Sequence, residues 1–198
     1  MNQQIFHSLK LKSQIFRNEK YKERNLRLKK ILLWVQNNEQ AIATALTADF
    51  KKPKFETLIS EILPIISELQ YTIKNLNSWM KEKKVKTPFT LLGHTSKVRF
   101  ENKGAVLIIS PWNYPFQLSI APLIAAVAAG NTAVIKPSEL TPATSMLVKK
   151  LCEDCFAIDE VVVELGSKEK TEELLAYDFD HVFFTGSTSV GRIISNYS

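Results

Sequence analysis

Apolar positions in the first part of the chain recur at three- and four-residue intervals. Ile31, Trp34 and Val35, then Ile42, Ala45 and Leu46, mark helix faces, with Asn37-Asn38 as the break between two helices. Lys52-Pro53 interrupts this rhythm. Beyond it Leu58, Ile62, Ile65, Ile66, Leu69, Ile73, Leu76 and Met80 hold one face for about six turns. Pro64 lies inside that stripe and predicts a kink rather than a stop, because the stripe continues past it. From Lys83 to Arg99 the pattern shortens into extended pieces, punctuated by Thr87-Pro88 and Gly93. Lys97-Val98-Arg99-Phe100 alternates as an edge or ribbon strand does.

The rhythm changes after Lys103-Gly104. Ala105-Val106-Leu107-Ile108-Ile109 is an apolar run of the kind found in strands buried on both faces. Phe116 to Ala129 reads as a helix stopped by Gly130-Asn131, Thr132 to Ile135 as a strand, and Thr141 to Cys152 as a helix with Pro142 in its first turn. Glu160 to Val163 and His181 to Phe184 read as further strands, followed by helices at Thr171 to Ala176 and from Thr188 onward. Strand-to-helix alternation repeated in this way predicts an α/β fold, a parallel sheet with right-handed crossovers.

Composition narrows the class. The 198 residues are 45% hydrophobic and 23% charged, which is globular and excludes disorder or coiled coil. Six glycines exclude collagen-like or linker-rich architectures, and two cysteines cannot build a disulfide scaffold. Met1 to Lys12 has no apolar signal region. The longest apolar stretch, Ile120 to Gly130, contains Pro122 and falls short of the roughly 20 residues of a membrane span. A soluble, cytoplasmic protein with no membrane segment is expected.

The net charge of +6 is unevenly spread: residues 1–100 carry 19 Lys/Arg against 8 Asp/Glu, and residues 101–198 carry 7 against 12. A basic half can serve an anionic polymer. Here, however, Lys20, Lys22, Arg24, Arg27, Lys29 and Lys30 alternate with Leu26, Leu28, Ile31, Leu32 and Leu33. That pattern predicts a solvated helix face beside a buried one, with no nucleic-acid partner.

In an open parallel sheet, ligands bind beyond the carboxyl ends of the strands. The segments standing there are Ser110-Pro111-Trp112-Asn113, Lys136-Pro137-Ser138-Glu139, Leu165-Gly166-Ser167 and Thr185 to Gly191. Gly186-Ser187-Thr188-Ser189-Val190-Gly191 would offer backbone N–H groups and a helix N-terminus to a phosphate. It is not the G-x-G-x-x-G fingerprint, since Thr188 replaces the second glycine, and glycine at such a turn also serves structure alone. Lys136 and Glu139 offer a donor and an acceptor suited to ribose hydroxyls, or form a polar loop leading into a helix. Asn113 carries an amide able to donate to an oxyanion, or is a turn residue before Pro115. Cys152 and Cys155 form C-x-x-C, but they close a helix instead of opening one and have no further ligands at metal spacing. They read as core packing plus a surface thiol, with no metal site.

The segments Ile109 to Phe116 (Ile-Ser-Pro-Trp-Asn-Tyr-Pro-Phe), Ala128 to Thr132, Val134 to Glu139 and Phe184 to Gly191 stand in order at fitting intervals. Together they resemble the N-terminal part of the aldehyde dehydrogenase family, in particular its shorter, class 3-like branch. The resemblance covers essentially the whole chain. It implies an oxidoreductase with a Rossmann-like sheet carrying helices on both faces. Residues 1–84 would form an N-terminal helical layer, 85–103 an extended ribbon and 104–198 the dinucleotide-binding core. It further implies NAD or NADP as cofactor, a small-molecule aldehyde as substrate and a homodimer for the full-length form.

By the same resemblance Asn113 is the oxyanion-stabilising amide, and Pro111, Trp112, Lys136, Ser138 and Glu139 lie against the nucleotide. Gly186, Ser187, Thr188, Ser189, Val190 and Gly191 form the turn beside its pyrophosphate and nicotinamide half, with Ser189 where the related pattern often has glycine. Glu139 disfavours a 2′-phosphate and Lys136 tolerates one, so NAD versus NADP stays open. The family's general-base glutamate, in a Glu-Leu-Gly-Gly-Lys motif, and its nucleophilic cysteine both follow the turn at Gly186 to Gly191. Neither occurs before Ser198, so the chain alone is expected to be inactive and its sheet incomplete. The alternative is a non-catalytic nucleotide-binding remnant.

Overall fold

The computed structural model describes residues 1–197. Three helices open the chain, α1 Gln3–Phe16, α2 Tyr21–Asn37 and α3 Glu39–Phe50. Asn38 marks the break between the last two, and Lys51 ends α3 in the left-handed conformation at φ 56°. The long apolar stripe then forms one helical run: α4 Lys54–Thr57, a π-helical turn Leu58–Ile62 and α5 Leu63–Trp79. Pro64 therefore lies inside the continuous run, just after the π turn, and supplies no N–H to the ladder there. The irregularity expected at Pro64 is the π turn just before it, and the helix starts four residues earlier than the stripe because Pro53 precedes it as N-cap.

A small antiparallel ribbon pairs β1 Lys83–Val85 with β2 Ser96–Val98. It ends short of Phe100, whose ring is 65% exposed. The core follows as β3 Ala105–Ile109, α6 Gln117–Ala129, β4 Thr132–Lys136, α7 Pro142–Cys155, β5 Val161–Val163, α8 Lys168–Leu175, β6 His181–Phe184 and α9 Thr188–Ser195. Helix α7 runs three residues further than Cys152, and α8 begins at Lys168, ahead of Thr171. The four strands are all parallel in the order β5-β4-β3-β6, so the chain reverses its direction of travel across the sheet between β3 and β6.

Alternation along the strands divides two cores. Val106, Ile108, Ala133 and Ile135 pack against α2, α3, α5, α6 and α7, whereas Ala105, Leu107, Ile109 and Val134 pack against α1, α8 and α9. Both faces of β3 and β4 are covered, which is why their residues are apolar without interruption. The N-terminal helices are thus shared between the faces, α1 on one and α2, α3 and α5 on the other.

Helix α2 departs from the expected pattern. Arg24 is buried at 7% exposure, while Leu26 and Leu33 face outward at 59% and 58%. Helical periodicity explains this, because Arg24, Leu28, Ile31 and Val35 share one face and Leu26 and Leu33 lie on the other. The Arg24 guanidinium donates to the carbonyls of Phe16 (2.9 Å) and Ala128 (3.3 Å). It fits only because Gly130, at φ 81°, has no Cβ: one there would stand 2.5 Å from it. Asn131 then accepts from the amides of Lys103 (2.8 Å) and Gly104 (2.9 Å), tying the stop after α6 to the start of β3.

Candidate functional site at the carboxyl edge of the sheet

Register brings the candidate loops together. Ile109 of β3 is paired with Lys136 of β4 on one side and with Phe184 of β6 on the other. The segments after β3, β4 and β6 consequently leave the sheet from one row, at neighbouring strands roughly 5 Å apart. The crevice between β3 and β6, where the strand order reverses, is the place at which open α/β sheets bind ligands. A cavity of about 550 Å³ lined by Leu76, Met80, Ala125 and Ala128 lies at the other end, beside the start of β4.

Lys136 is buried at 3% exposure, and its ammonium donates to Glu139 Oε2 at 2.8 Å. The Glu139 side chain remains 45% exposed. Burial pushes its carboxyl up, but the hydrogen bond from Lys136 and one from its own backbone outweigh this and hold it below the usual value. An ionised acceptor therefore stands at the surface with a donor directly behind it.

Ser138, between them, is buried and committed to the local turn. Its hydroxyl accepts from the Leu140 amide (3.2 Å), and its carbonyl accepts from the hydroxyls of Thr141 (3.3 Å) and Ser145 (2.9 Å). Thr141 is N-cap of α7 but does not cap it with its side chain; Asp49 of α3 does so from across the interface.

After β3, Pro111 is half-buried and Trp112, Asn113 and Tyr114 are exposed. The Trp112 ring lies 6.3 Å from that of Phe50. After β6, Ser187 caps α9 by accepting from the Val190 amide at 3.4 Å, and the Gly191 amide donates to the Ser187 carbonyl. Thr188 and Ser189, in the first turn, have no intrahelical partner for their N–H groups. Gly186 answers a packing need: a Cβ there would meet the Phe184 ring at 2.3 Å. Leu165-Gly166-Ser167 follows β5 on the outer edge of the sheet, away from the reversal.

Two charged residues absent from the sequence-based site stand behind the β3 loop. Glu61, in the π turn, is fully buried and accepts from Lys52 Nζ at 2.6 Å. Its other oxygen accepts from the amides of Phe116 (3.1 Å) and Gln117 (3.0 Å). The sequence carries a trace of this, since Glu61 is the one charge at a stripe position, four residues before Ile65.

Cys152 and Cys155 are both buried, so no surface thiol exists there. Their side chains belong to the core between α7 and the sheet because α7 extends through Cys155. Burial, aided by Asp154, raises the Cys155 thiol to about 11, and burial raises Cys152 further. Among the described residues no cluster of three or more His, Cys, Asp or Glu could hold a metal, and no helix is long and apolar enough to cross a membrane.

The residues present fit a dinucleotide: an acceptor–donor pair for sugar hydroxyls beside open amides at a helix start. The chain is similar in sequence and fold to known proteins. The profile of the aldehyde dehydrogenase family matches residues 4–198. The 4,4′-diaponeurosporen-aldehyde dehydrogenase of Staphylococcus aureus is 41% identical over 190 residues, covering 96% of this chain and 40% of that protein. Aldehyde dehydrogenase family 3 member H1 of Arabidopsis thaliana is 40% identical over 174 residues, covering 88% of this chain and 36% of its own length. The substrate-bound structure of Staphylococcus aureus AldH superposes with a TM-score of 0.95 at 40% identity, over 100% of this chain and 43% of that one. The chain thus spans about two fifths of the length of these relatives, with the parallel sheet and flanking helices of their N-terminal part, and it belongs to the aldehyde dehydrogenase family.

Proposed function

We propose that this chain is the cofactor-holding part of an NAD(P)-dependent aldehyde dehydrogenase, and that the 198 residues alone hold the nucleotide without oxidising an aldehyde. The observation that carries the first half is the row Lys136–Ile109–Phe184, from which the three candidate loops emerge side by side. Glu139 accepts from the adenosine ribose hydroxyls and Lys136, behind it, donates to the same sugar. The open amides of Thr188 and Ser189 face the pyrophosphate, with Ser187 and Gly186 shaping the turn. Pro111 and Trp112 flank the nucleotide, and Asn113 donates its amide to the oxygen of a reacting carbonyl. When bound, NAD or NADP supplies the hydride acceptor for aldehyde oxidation.

The second half rests on the thiols. A nucleophilic cysteine works as thiolate in an accessible, electropositive setting, whereas Cys152 and Cys155 are buried and hold their protons. Family membership supports a small-molecule aldehyde as substrate of the whole enzyme and a homodimeric state for it, and a cytoplasmic location is part of the same proposal. Calorimetric titration of the 198-residue chain with NAD and with NADP, beside an assay for aldehyde-dependent nicotinamide reduction, tests both halves. Saturable binding weakened by Lys136→Ala, with no reduction, is expected. Absence of binding overturns the first half; turnover overturns the second.

A further inference from the structure

We infer that Lys52 and Glu61 are positioning residues: a buried ion pair that orients the Trp112-Asn113-Tyr114 loop and, through it, the Asn113 carboxamide. The function at stake rests on the proposed role of Asn113.

Asn113 is exposed and its side chain has no hydrogen-bond partner among the described residues, so the place of its carboxamide is set by the backbone that carries it. That backbone is held downstream at two amides, and the rings on either side of Asn113 are held near a buried cation. On the downstream side Glu61 Oε2 takes the amides of Phe116 and Gln117, which lead into α6. A carboxylate at this point also meets the positive end of the helix dipole. On the near side Lys52 Nζ stands 4.7 Å from the centre of the Tyr114 ring and 5.6 Å from that of Phe50, the ring beside Trp112. The Lys52–Glu61 bond of 2.6 Å joins the two grips into one unit.

Stability alone does not explain the pair. Desolvating two charges is costly, and apolar residues of equal volume commonly serve a core as well. Apolar replacements, however, could neither accept two backbone amides nor attract an aromatic face. The π turn Leu58–Ile62 serves the same end: it carries Glu61 into the core at 0% exposure, the one buried charge of the helical run among the described residues.

The test uses the isotope-labelled 198-residue chain and its Glu61→Gln, Glu61→Ala and Lys52→Met variants. Nuclear magnetic resonance reads the Asn113 carboxamide, the Trp112 indole and hydrogen exchange at Phe116 and Gln117, with thermal unfolding followed in parallel. Glu61→Ala is expected to move both side-chain signals and to speed exchange at the two amides by about tenfold or more. Glu61→Gln, which keeps an acceptor, should return part of the way. Lys52→Met should move Trp112 and Asn113 while leaving the two amides largely protected. Variants that melt earlier with both side-chain signals unmoved would overturn the inference. If Glu61→Ala does not fold, the other two variants decide it by the same signals. A separate NAD titration of the unsubstituted chain, read at Lys136 and Ser187, isolates failure of the cofactor reading from failure of the loop positioning.

Discussion

Asp49 at the end of α3 takes both the backbone amide (2.8 Å) and the hydroxyl (2.7 Å) of Thr144 in the first turn of α7, and its second oxygen takes the Ala143 amide (3.1 Å). Residues 95 apart in sequence are thereby joined, and a helix whose own N-cap makes no side-chain bond is capped from outside. Because α7 follows directly on the Lys136–Glu139 loop, the cap also fixes one end of the candidate ribose site.

Replacing Asp49 by alanine should cost about 1–2 kcal/mol, as lost N-caps do. Asp49→Asn, still an acceptor, should lose less. Denaturant unfolding of the two variants checks this, and equal stability of Asp49→Ala and the unsubstituted chain would refute it.

Glu139 sets a pH dependence of known sign. Its carboxyl lies below the ordinary value in the folded chain, because the Lys136 hydrogen bond outweighs burial. Its contribution to stability is therefore fully present above the unfolded value of about 4.3 and disappears as pH falls through the depressed folded one. The stability gap between the unsubstituted chain and Glu139→Gln should shrink on moving from about pH 7 to pH 3. Unfolding midpoints of both proteins at the two pH values measure it; a gap that widens on acidification would contradict the pairing.

Thiol accessibility tests the reading of the C-x-x-C pair. With Cys155 raised to about 11 by burial and Cys152 higher still, neither carries appreciable thiolate at neutral pH. A chromogenic disulfide reagent should react with neither thiol in the native chain and with both once the chain is unfolded in guanidinium. Rapid native modification of Cys155 would show an accessible thiol and weaken the non-catalytic reading.

Much of the core was legible residue by residue. The uninterrupted apolar run Ala105–Ile109 reads as a strand covered on both faces, Thr132–Ile135 as the next strand and Gly130-Asn131 as the stop of a helix, because each follows from local sterics and local burial. The order of motifs along the chain likewise identified the family. Local information also set Cys152 and Cys155 at the close of a helix, though it did not show that both are buried.

What one-dimensional pattern left open were the relationships between distant segments. Periodicity puts Arg24 on the buried face of α2, but nothing in that helix shows that the carbonyls of Phe16 and Ala128 receive its guanidinium. No spacing couples Glu61 to the amides of Phe116 and Gln117, or Asp49 to Thr144. Periodicity reports which face of an element avoids water. Which polar group meets which depends on the order and register of β5-β4-β3-β6 and on how the helices cross them, and these are set only when the whole chain packs.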